Sequence, residues 1–150
     1  MPLPPYVISA SVFVCRYTLQ EPDGVVSAIR IVDVFYVSEK PPEFPESAVP
    51  IVQAFACVII RTVPDHTEEH SLQVKMINTV GEINDLSAPL QVKLAGMVEN
   101  APGGATINLQ LNIGVKRFGT CYVCVYLDGE EVARAPITLQ HKPDEDEAKS

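Results

Sequence analysis

The stretch TINLQLNIGV, residues 106–115, decides the fold class, because apolar and polar residues alternate along its whole length. In an extended strand, side chains two positions apart lie on the same face of a sheet, whereas in a helix the same residues would scatter around the axis. The alternation therefore predicts a strand that is buried on one face and solvated on the other. Its apolar face comprises Ile107, Leu109, Leu111, Ile113 and Val115.

The same alternation recurs in SLQVKMI, residues 71–77, and in PLQVKLA, residues 89–95. Further strands are predicted at about 6–15 and 25–37, and the sequence contains no amphipathic helix of convincing length. Short alternating strands, about eight in all, are typical of two packed antiparallel sheets. The sequence therefore predicts an all-β, antiparallel immunoglobulin-like β-sandwich, with a small closed β-barrel as the alternative.

Turn signals separate the predicted strands. Glu21-Pro22-Asp23-Gly24 predicts a turn after the first strand. Asp128-Gly129 predicts a tight type I′ hairpin turn, because both central residues of that turn need a positive φ angle. The Pro-rich segment at 38–50 predicts a crossover at the surface.

The length, charge and cysteine content of the chain limit the classes of protein to which it could belong. The 150 residues predict one domain over residues 1–142 and an acidic, mobile tail over residues 143–150. The formal net charge of −8 excludes nucleic acid as an expected partner, because phosphate backbones are bound by clustered Lys and Arg. Neither a signal peptide nor an apolar run of about 20 residues is recognised, which predicts no membrane partner. Four cysteines without a leader predict reduced thiols and a cytoplasmic location.

Residues 51–60, IVQAFACVII, are apolar on both alternating faces, and such a strand has to be covered on both faces. One interpretation is that residues 38–50 or a chain terminus lies over the second face. The other is that the second face contacts another protein chain, either a different protein or a second copy in a homo-oligomer. The candidates for that contact are Val52, Ala54, Val58 and Ile60.

The motif HTEEH, residues 66–70, matches the H-x-x-E-H pattern of the inverted zinc peptidases. In those enzymes a helix places both histidines over one metal ion, and the glutamate beside the second histidine activates a water molecule. Here Pro64 precedes the motif and the strand at 71–77 follows it, so a single turn is the most that fits. We therefore expect solvated loop residues, with no catalytic residue, metal ligand or cofactor. The alternative is a zinc-dependent hydrolase that uses His66, Glu69 and His70.

Cys121 and Cys124 match the Cys-x-x-Cys pattern of redox and zinc sites. They lie in a β-forming run, in which positions i and i+3 face opposite sides of a sheet, so the two thiols cannot share a metal ion or form a disulfide. We expect all four thiols, including those of Cys15 and Cys57, to be buried and inert.

Several segments between about residues 6 and 140 carry a resemblance to a known family: Phe44-Pro45, HSLQVKMIN at 70–78 with Gly81, Gly119-x-x-Tyr122, Asp128-Gly129-Glu130-Glu131 and Pro136-Ile137. In these segments the chain resembles a bacterial family of short uncharacterised proteins. The resemblance implies an immunoglobulin-like β-sandwich with no assigned activity, and it supplies no catalytic residues.

Taken together, the sequence predicts a non-enzymatic, cytoplasmic interaction or accessory module that presents a sheet face or edge to a protein partner. Besides the zinc-dependent hydrolase, one further alternative is a sandwich that binds a small ligand or a glycan. That alternative needs a concave site lined by aromatic side chains.

Overall fold

The computed structural model describes residues 2–20, 26–31, 33–37, 50–96 and 98–141 of the chain. Within these residues the chain forms ten strands and no helix. The strands are β1 (Val7–Gln20), β2 (Val26–Ile31), β3 (Val34–Val37), β4 (Ile51–Thr62), β5 (Glu69–Ile77), β6 (Ile83–Asp85), β7 (Leu90–Lys93), β8 (Gly103–Gly114), β9 (Gly119–Leu127) and β10 (Glu130–His141).

The strands form two open sheets, as in a β-sandwich. The first sheet has four strands in the order β2-β1-β4-β8. The second has the order β3-β10-β9-β5-β6, and β7 also pairs with β5. All of these pairs are antiparallel except the parallel pair of β3 and β10. The prediction of an all-β fold is confirmed, and the described strands form open sheets rather than the closed barrel that was the alternative.

The core lies between the two sheets and follows the predicted alternation. Along β8, Leu111 and Ile113 are fully buried, whereas the alternate residues Gln110 and Asn112 are exposed. The neighbouring β4 runs beside β8 from Ile51↔Gly114 to Thr62↔Gly103 without a register shift, so its own alternate residues join the same core. The second sheet contributes the apolar sides of β5, β9 and β10 to this core.

The single strand expected at about 25–37 is two strands that belong to different sheets. β2 pairs with β1, and β3 pairs with β10. The change of sheet occurs around Asp33, whose carbonyl oxygen accepts a hydrogen bond of 2.7 Å from the backbone N–H of Thr138. This crossing explains why an apolar run of this length shows no single buried face: Phe35 and Val37 are buried against the second sheet.

The predicted hairpin turn between β9 and β10 is confirmed, because Asp128 has φ 52° and Gly129 has φ 83°. The turn expected at residues 21–24, most of the crossover expected at 38–50 and the acidic tail at 143–150 lie outside the described residues.

Candidate functional site

The HTEEH motif lies in the connection that carries the chain from β4 in the first sheet to β5 in the second. Asp65 has φ 67°, a left-handed conformation that aspartate tolerates, and it turns the chain after Pro64. Residues 66–68 then have no regular structure, and β5 begins at Glu69. As the sequence predicted, this motif does not form a helix.

The two histidine rings nevertheless converge, and Tyr6 packs on both. The His66 and His70 Nε2 atoms are 2.7 Å apart. The Tyr6 ring lies nearly parallel to each imidazole, with centroid separations of 4.4 Å to His66 and 4.5 Å to His70. The prediction of solvated loop histidines is therefore wrong for His70, whose side chain is 5% exposed.

Asp128, at the tip of the β9–β10 hairpin, holds the other side of the His70 ring. Its Oδ2 atom is 2.5 Å from His70 Nδ1, and its Oδ1 atom accepts a hydrogen bond of 2.8 Å from the backbone N–H of Ser71. A carboxylate only accepts hydrogen bonds, so Nδ1 of His70 carries the hydrogen. When His70 is neutral, its Nε2 atom is therefore an acceptor for a hydrogen bond from His66 Nε2–H.

Backbone hydrogen bonds fix the three chain segments that supply these side chains. The N–H of Val63 donates to the carbonyl of Tyr6 (2.9 Å), which ties the N-terminal segment to the end of β4. The N–H of Asp128 donates to the carbonyl of Ser71 (2.8 Å), which ties the hairpin turn to β5. The aromatic and carboxylate groups around His70 are therefore positioned by regular structure rather than by the loop alone.

The electrostatic surroundings of this cluster are negative. Burial, followed by the charge of Asp128, raises the pKa of Tyr6 to about 12, and Glu130 and Glu68 act in the same direction. Burial alone would raise the pKa of the Asp128 carboxyl, but hydrogen bonds from the Ser71 backbone and from His70 outweigh it and hold that pKa below its ordinary value. Asp128 is therefore ionised at neutral pH.

Within the HTEEH motif, the acidic residue that lies beside the histidines is Glu68. Donor atoms of His66, Glu68 and His70 all lie within 4.8 Å of one another. Glu69 lies next to His70 in β5, pairs with Lys93, and faces the other side of the strand, because neighbouring strand residues alternate. The structure therefore brings together the two histidines of the predicted site, but the glutamate beside them is Glu68 and not the predicted Glu69.

The third histidine lies elsewhere. His141, at the end of β10, has its Nδ1 atom 3.1 Å from the carbonyl oxygen of Val37, and its ring is tilted against Phe118. It shares no ligand cluster with His66 and His70 among the described residues.

The predicted interaction residues of β4 lie mainly in the core. Ala54, Val58 and Ile60 are each 0% exposed, and Val52 is half-buried. These side chains face the second sheet, so they offer no free surface in the chain by itself. The opposite face of β4 carries the exposed Ile51, which is 66% exposed.

The edge of the first sheet is formed by β8. Among the described strands, β8 pairs with β4 alone, along all twelve of its residues. Its sequence, GGATINLQLNIG, contains no charged residue and no proline. The strands at the other sheet edges, β2, β3, β6 and β7, are three to six residues long.

The described surface includes two hollows that could take a ligand. One, of about 300 Å³, lies at the far end of β5 from His70, and no aromatic side chain lines it. The other, of about 720 Å³, is lined in part by Phe35, Tyr36 and Phe55. It is bordered by β3 and β4, which flank residues 38–49 outside the described part of the chain.

The four cysteines are free and buried, as the sequence predicted. Cys121 and Cys124 lie in β9 on opposite faces, because Cys121 pairs with the inward-facing Ile137 and Cys124 with the outward-facing Arg134. The Cys-x-x-Cys match therefore forms neither a disulfide nor a metal site.

Comparison with known proteins yields a likeness of fold only. No family model matches the sequence, and no curated protein matches it significantly. Among solved structures, the chain is similar to part of a β-glucosidase from Listeria innocua, with a TM-score of 0.50 and 12% identity over 93% of this chain and 17% of that chain. It is also similar to part of the alkylpurine DNA glycosylase AlkC from Pseudomonas fluorescens, with a TM-score of 0.45 and 11% identity over 86% of this chain and 30% of that one.

The chain thus spans less than a third of each of these proteins. At 12% identity the likeness to the β-glucosidase concerns the fold and not the activity. None of the described segments forms a helix with the length and apolar character that crossing a membrane requires.

Proposed function

We propose that this protein is a non-enzymatic β-sandwich interaction module that binds a partner along the edge of β8, and that a second copy of the chain is this partner. One observation carries the proposal: among the described strands, β8 is a twelve-residue edge strand without charge, proline or bulge. Sheet proteins usually protect such edges with lysine, proline, bulges or short strands, because free N–H and C=O groups pair with other strands.

The composition of the edge suits pairing with itself. An antiparallel pair of β8 strands around a two-fold axis would join two first sheets into one. The outward side chains of β8 include Asn108, Gln110 and Asn112, which are polar and neutral. In such a pair these residues can lie opposite one another across the two-fold axis, without the like-charge repulsion that a net charge of −8 creates elsewhere on the surface.

The strand order supports a further part of the proposal, which is that the sandwich is of the immunoglobulin-like type. One sheet contains β1-β4-β8 and the other β10-β9-β5, in the manner of strands A-B-E and G-F-C of immunoglobulin domains. A cytoplasmic location fits this reading, since the four thiols are free, and membership of the bacterial family that the sequence resembles stays a prediction.

Light scattering on a sizing column tests the proposal. We expect the wild-type chain to have twice its mass of 16.4 kDa at micromolar concentration. The double variant Gln110→Lys/Asn112→Lys should elute as a monomer, because it places like charges on both copies along the shared edge. Both positions are exposed, so the core is unaffected, which circular dichroism will verify.

The matched control is Ile51→Lys/Gln53→Lys. Gln53 lies directly opposite Asn112 on the neighbouring strand, and both control residues are exposed on the same sheet face. This variant adds the same charge one strand away from the edge, and it should remain dimeric. A monomeric wild type, or equal disruption by both variants, would contradict pairing through the edge.

The alternative functions receive less support. The glutamate that a hydrolase of the inverted type requires, Glu69, faces away from the two histidines. Binding of a small ligand or a glycan stays a prediction, and the hollow lined by Phe35, Tyr36 and Phe55 is the place to look for it. A rise in melting temperature with a ligand panel would reveal such binding, because a ligand that binds only the folded state stabilises it.

A further inference from the structure

The cluster at the end of the sandwich offers three donor atoms of the kinds that bind transition metals. The donor atoms of His66, Glu68 and His70 lie within 4.8 Å of one another. In a tetrahedral zinc site with Zn–N distances of 2.0–2.1 Å, two nitrogen ligands are about 3.3 Å apart. The Nε2 atoms, now 2.7 Å apart, need to separate by only about 0.6 Å, and the exposed Glu68 side chain is free to close on the same point.

The surroundings of His70 match those of a metal-bound histidine. A histidine that binds metal through one ring nitrogen usually donates the other N–H to a carboxylate, which fixes the ring and makes the ligand more basic. Asp128 provides this contact at Nδ1, and it is itself held by the Ser71 backbone N–H. The Nε2 atom of His70 is thereby directed at His66, the direction in which a metal ion would lie.

The local charge favours a cation. Asp128, Glu130 and Glu68 all act on the half-buried Tyr6 as negative charges. Tyr6 also covers both imidazoles from one side, which holds the two rings in nearly parallel planes. Two neutral imidazoles and one carboxylate in this field would leave a bound divalent ion with a net positive charge of one.

We propose that His66, Glu68 and His70 bind one divalent transition-metal ion, Zn²⁺ above all, with Asp128 as the residue that positions His70. Nitrogen and carboxylate donors suit zinc, whereas Ca²⁺ and Mg²⁺ take oxygen ligands only. With three protein ligands, the fourth position is open to solvent or to a ligand atom from a partner. The metal site does not involve the β8 edge, so the proposal of metal binding and the proposal of a dimer can be tested separately.

Titration calorimetry with Zn²⁺ tests the site, on the 150-residue chain purified without a histidine tag and stripped with a chelator. We expect one ion per chain with micromolar or tighter affinity. His66→Ala and Glu68→Gln should each weaken binding at least tenfold, because each removes a ligand. Asp128→Asn should weaken it by about 10- to 100-fold, the effect that loss of such a supporting carboxylate typically has. Binding of Co²⁺ should give visible absorption bands of four- or five-coordinate geometry.

Two substitutions serve as matched controls. Glu69→Gln removes the neighbouring carboxylate on the opposite face of β5, and His141→Ala removes the histidine outside the cluster. Both should bind Zn²⁺ as the wild type does. His66 and Glu68 are the more accessible ligands, so their variants keep the test valid if replacement of the buried His70 prevents folding. Absence of saturable binding, unchanged affinity in His66→Ala, or equal losses in Glu68→Gln and Glu69→Gln would overturn the proposal.

Discussion

The Nδ1 atom of His70 lies 2.5 Å from the Oδ2 atom of Asp128, although the two residues are 58 positions apart in the sequence. The contact joins the first residues of β5 to the tip of the β9–β10 hairpin. His70 is 5% exposed and Asp128 is 47% exposed, so the pair lies at the boundary between the core and the solvent. One aspartate therefore shapes the turn with its backbone and holds a buried imidazole with its side chain.

Substitution of Asp128 should separate these two roles. Asp128→Ala removes both hydrogen-bond acceptors and places a residue without a local polar group at φ 52°, so we expect a loss of about 2–4 kcal/mol in the free energy of unfolding. Asp128→Asn should cost about half as much, because asparagine tolerates this backbone conformation and its oxygen still accepts from Ser71. Urea denaturation measures both. Equal losses for the two variants would show that neither the acceptor retained for Ser71 nor the tolerance of asparagine for this backbone conformation stabilises the fold.

The start of β8 should tolerate no side chain at Gly104. A Cβ atom there would lie 1.9 Å from the carbonyl oxygen of Ile60, and Gly104 also has φ +133°. Gly104→Ala should therefore cost more than about 4 kcal/mol or prevent folding, because the backbone of β4 has to move. The control is Gly129→Ala, at φ +83° with no atom within 4 Å of the added Cβ, which should cost about 1–2 kcal/mol. Comparable losses for the two variants would contradict the close approach.

Glu131 should make the fold sensitive to acid. The Arg134 guanidinium donates two hydrogen bonds to its carboxylate, 2.5 and 2.9 Å long, and these lower the pKa of Glu131. A lowered folded-state pKa stabilises the protein above the unfolded value of about 4.3, and this stabilisation is lost as the pH falls through the folded value. The stabilisation of the wild type relative to Glu131→Gln should thus be largest near neutral pH and fall to a constant, smaller value in strong acid.

The same substitution in an Arg134→Gln background provides the control for this pH dependence. Without the guanidinium, the hydrogen bonds that lower the pKa of Glu131 are absent. The difference should then change little with pH, as measured by urea denaturation from neutral pH downward. A pH dependence that persists undiminished in this background would assign the effect to other groups.

The thiols should be protected from reagents in the folded protein. Burial, with a smaller contribution from Glu131, raises the pKa of Cys124 to about 11, and burial raises the pKa values of the other three thiols. Because the thiolate is the reactive form, labelling of Cys124 by a disulfide reagent at pH 8 should be at least about 100-fold slower than in urea. Unfolded protein should react with four equivalents, and Cys124→Ala with three. Rapid native labelling at Cys124, identified by mass spectrometry, would contradict this burial.

Local patterns made the strands and one turn predictable. The alternation of residues 106–115 corresponds to the buried and exposed faces of β8, and Asp128-Gly129 forms the expected turn. Pairing between distant segments was not predictable in the same way. The run at 25–37 divides between two sheets because β3 joins β10, and no local pattern marks that change.

The histidine cluster depends even more on distant segments. His66 and His70 were recognised from their spacing, but a helical template was the only arrangement that this spacing suggested. Their convergence instead depends on Tyr6 and Asp128, which come from the N-terminal segment and from a hairpin tip. The sequence likewise did not show which face of β4 lies toward the second sheet. Both faces of this strand carry aliphatic side chains, so the pattern of apolar residues does not distinguish the inner face from the outer face.

The parallel pairing of β3 with β10 has a consequence for the order in which the protein folds. Val37 and His141, at the ends of these strands, are 104 positions apart, whereas the β9–β10 hairpin closes over a two-residue turn. During synthesis on the ribosome, β3 therefore leaves the exit tunnel long before β10 has been synthesised. Until then, the apolar residues Phe35 and Val37 lie in a segment that has no partner strand from β10. We expect docking of β3 onto β10 to be a late kinetic step. We also expect the nascent β3 segment to stay accessible to chaperones for a long part of synthesis.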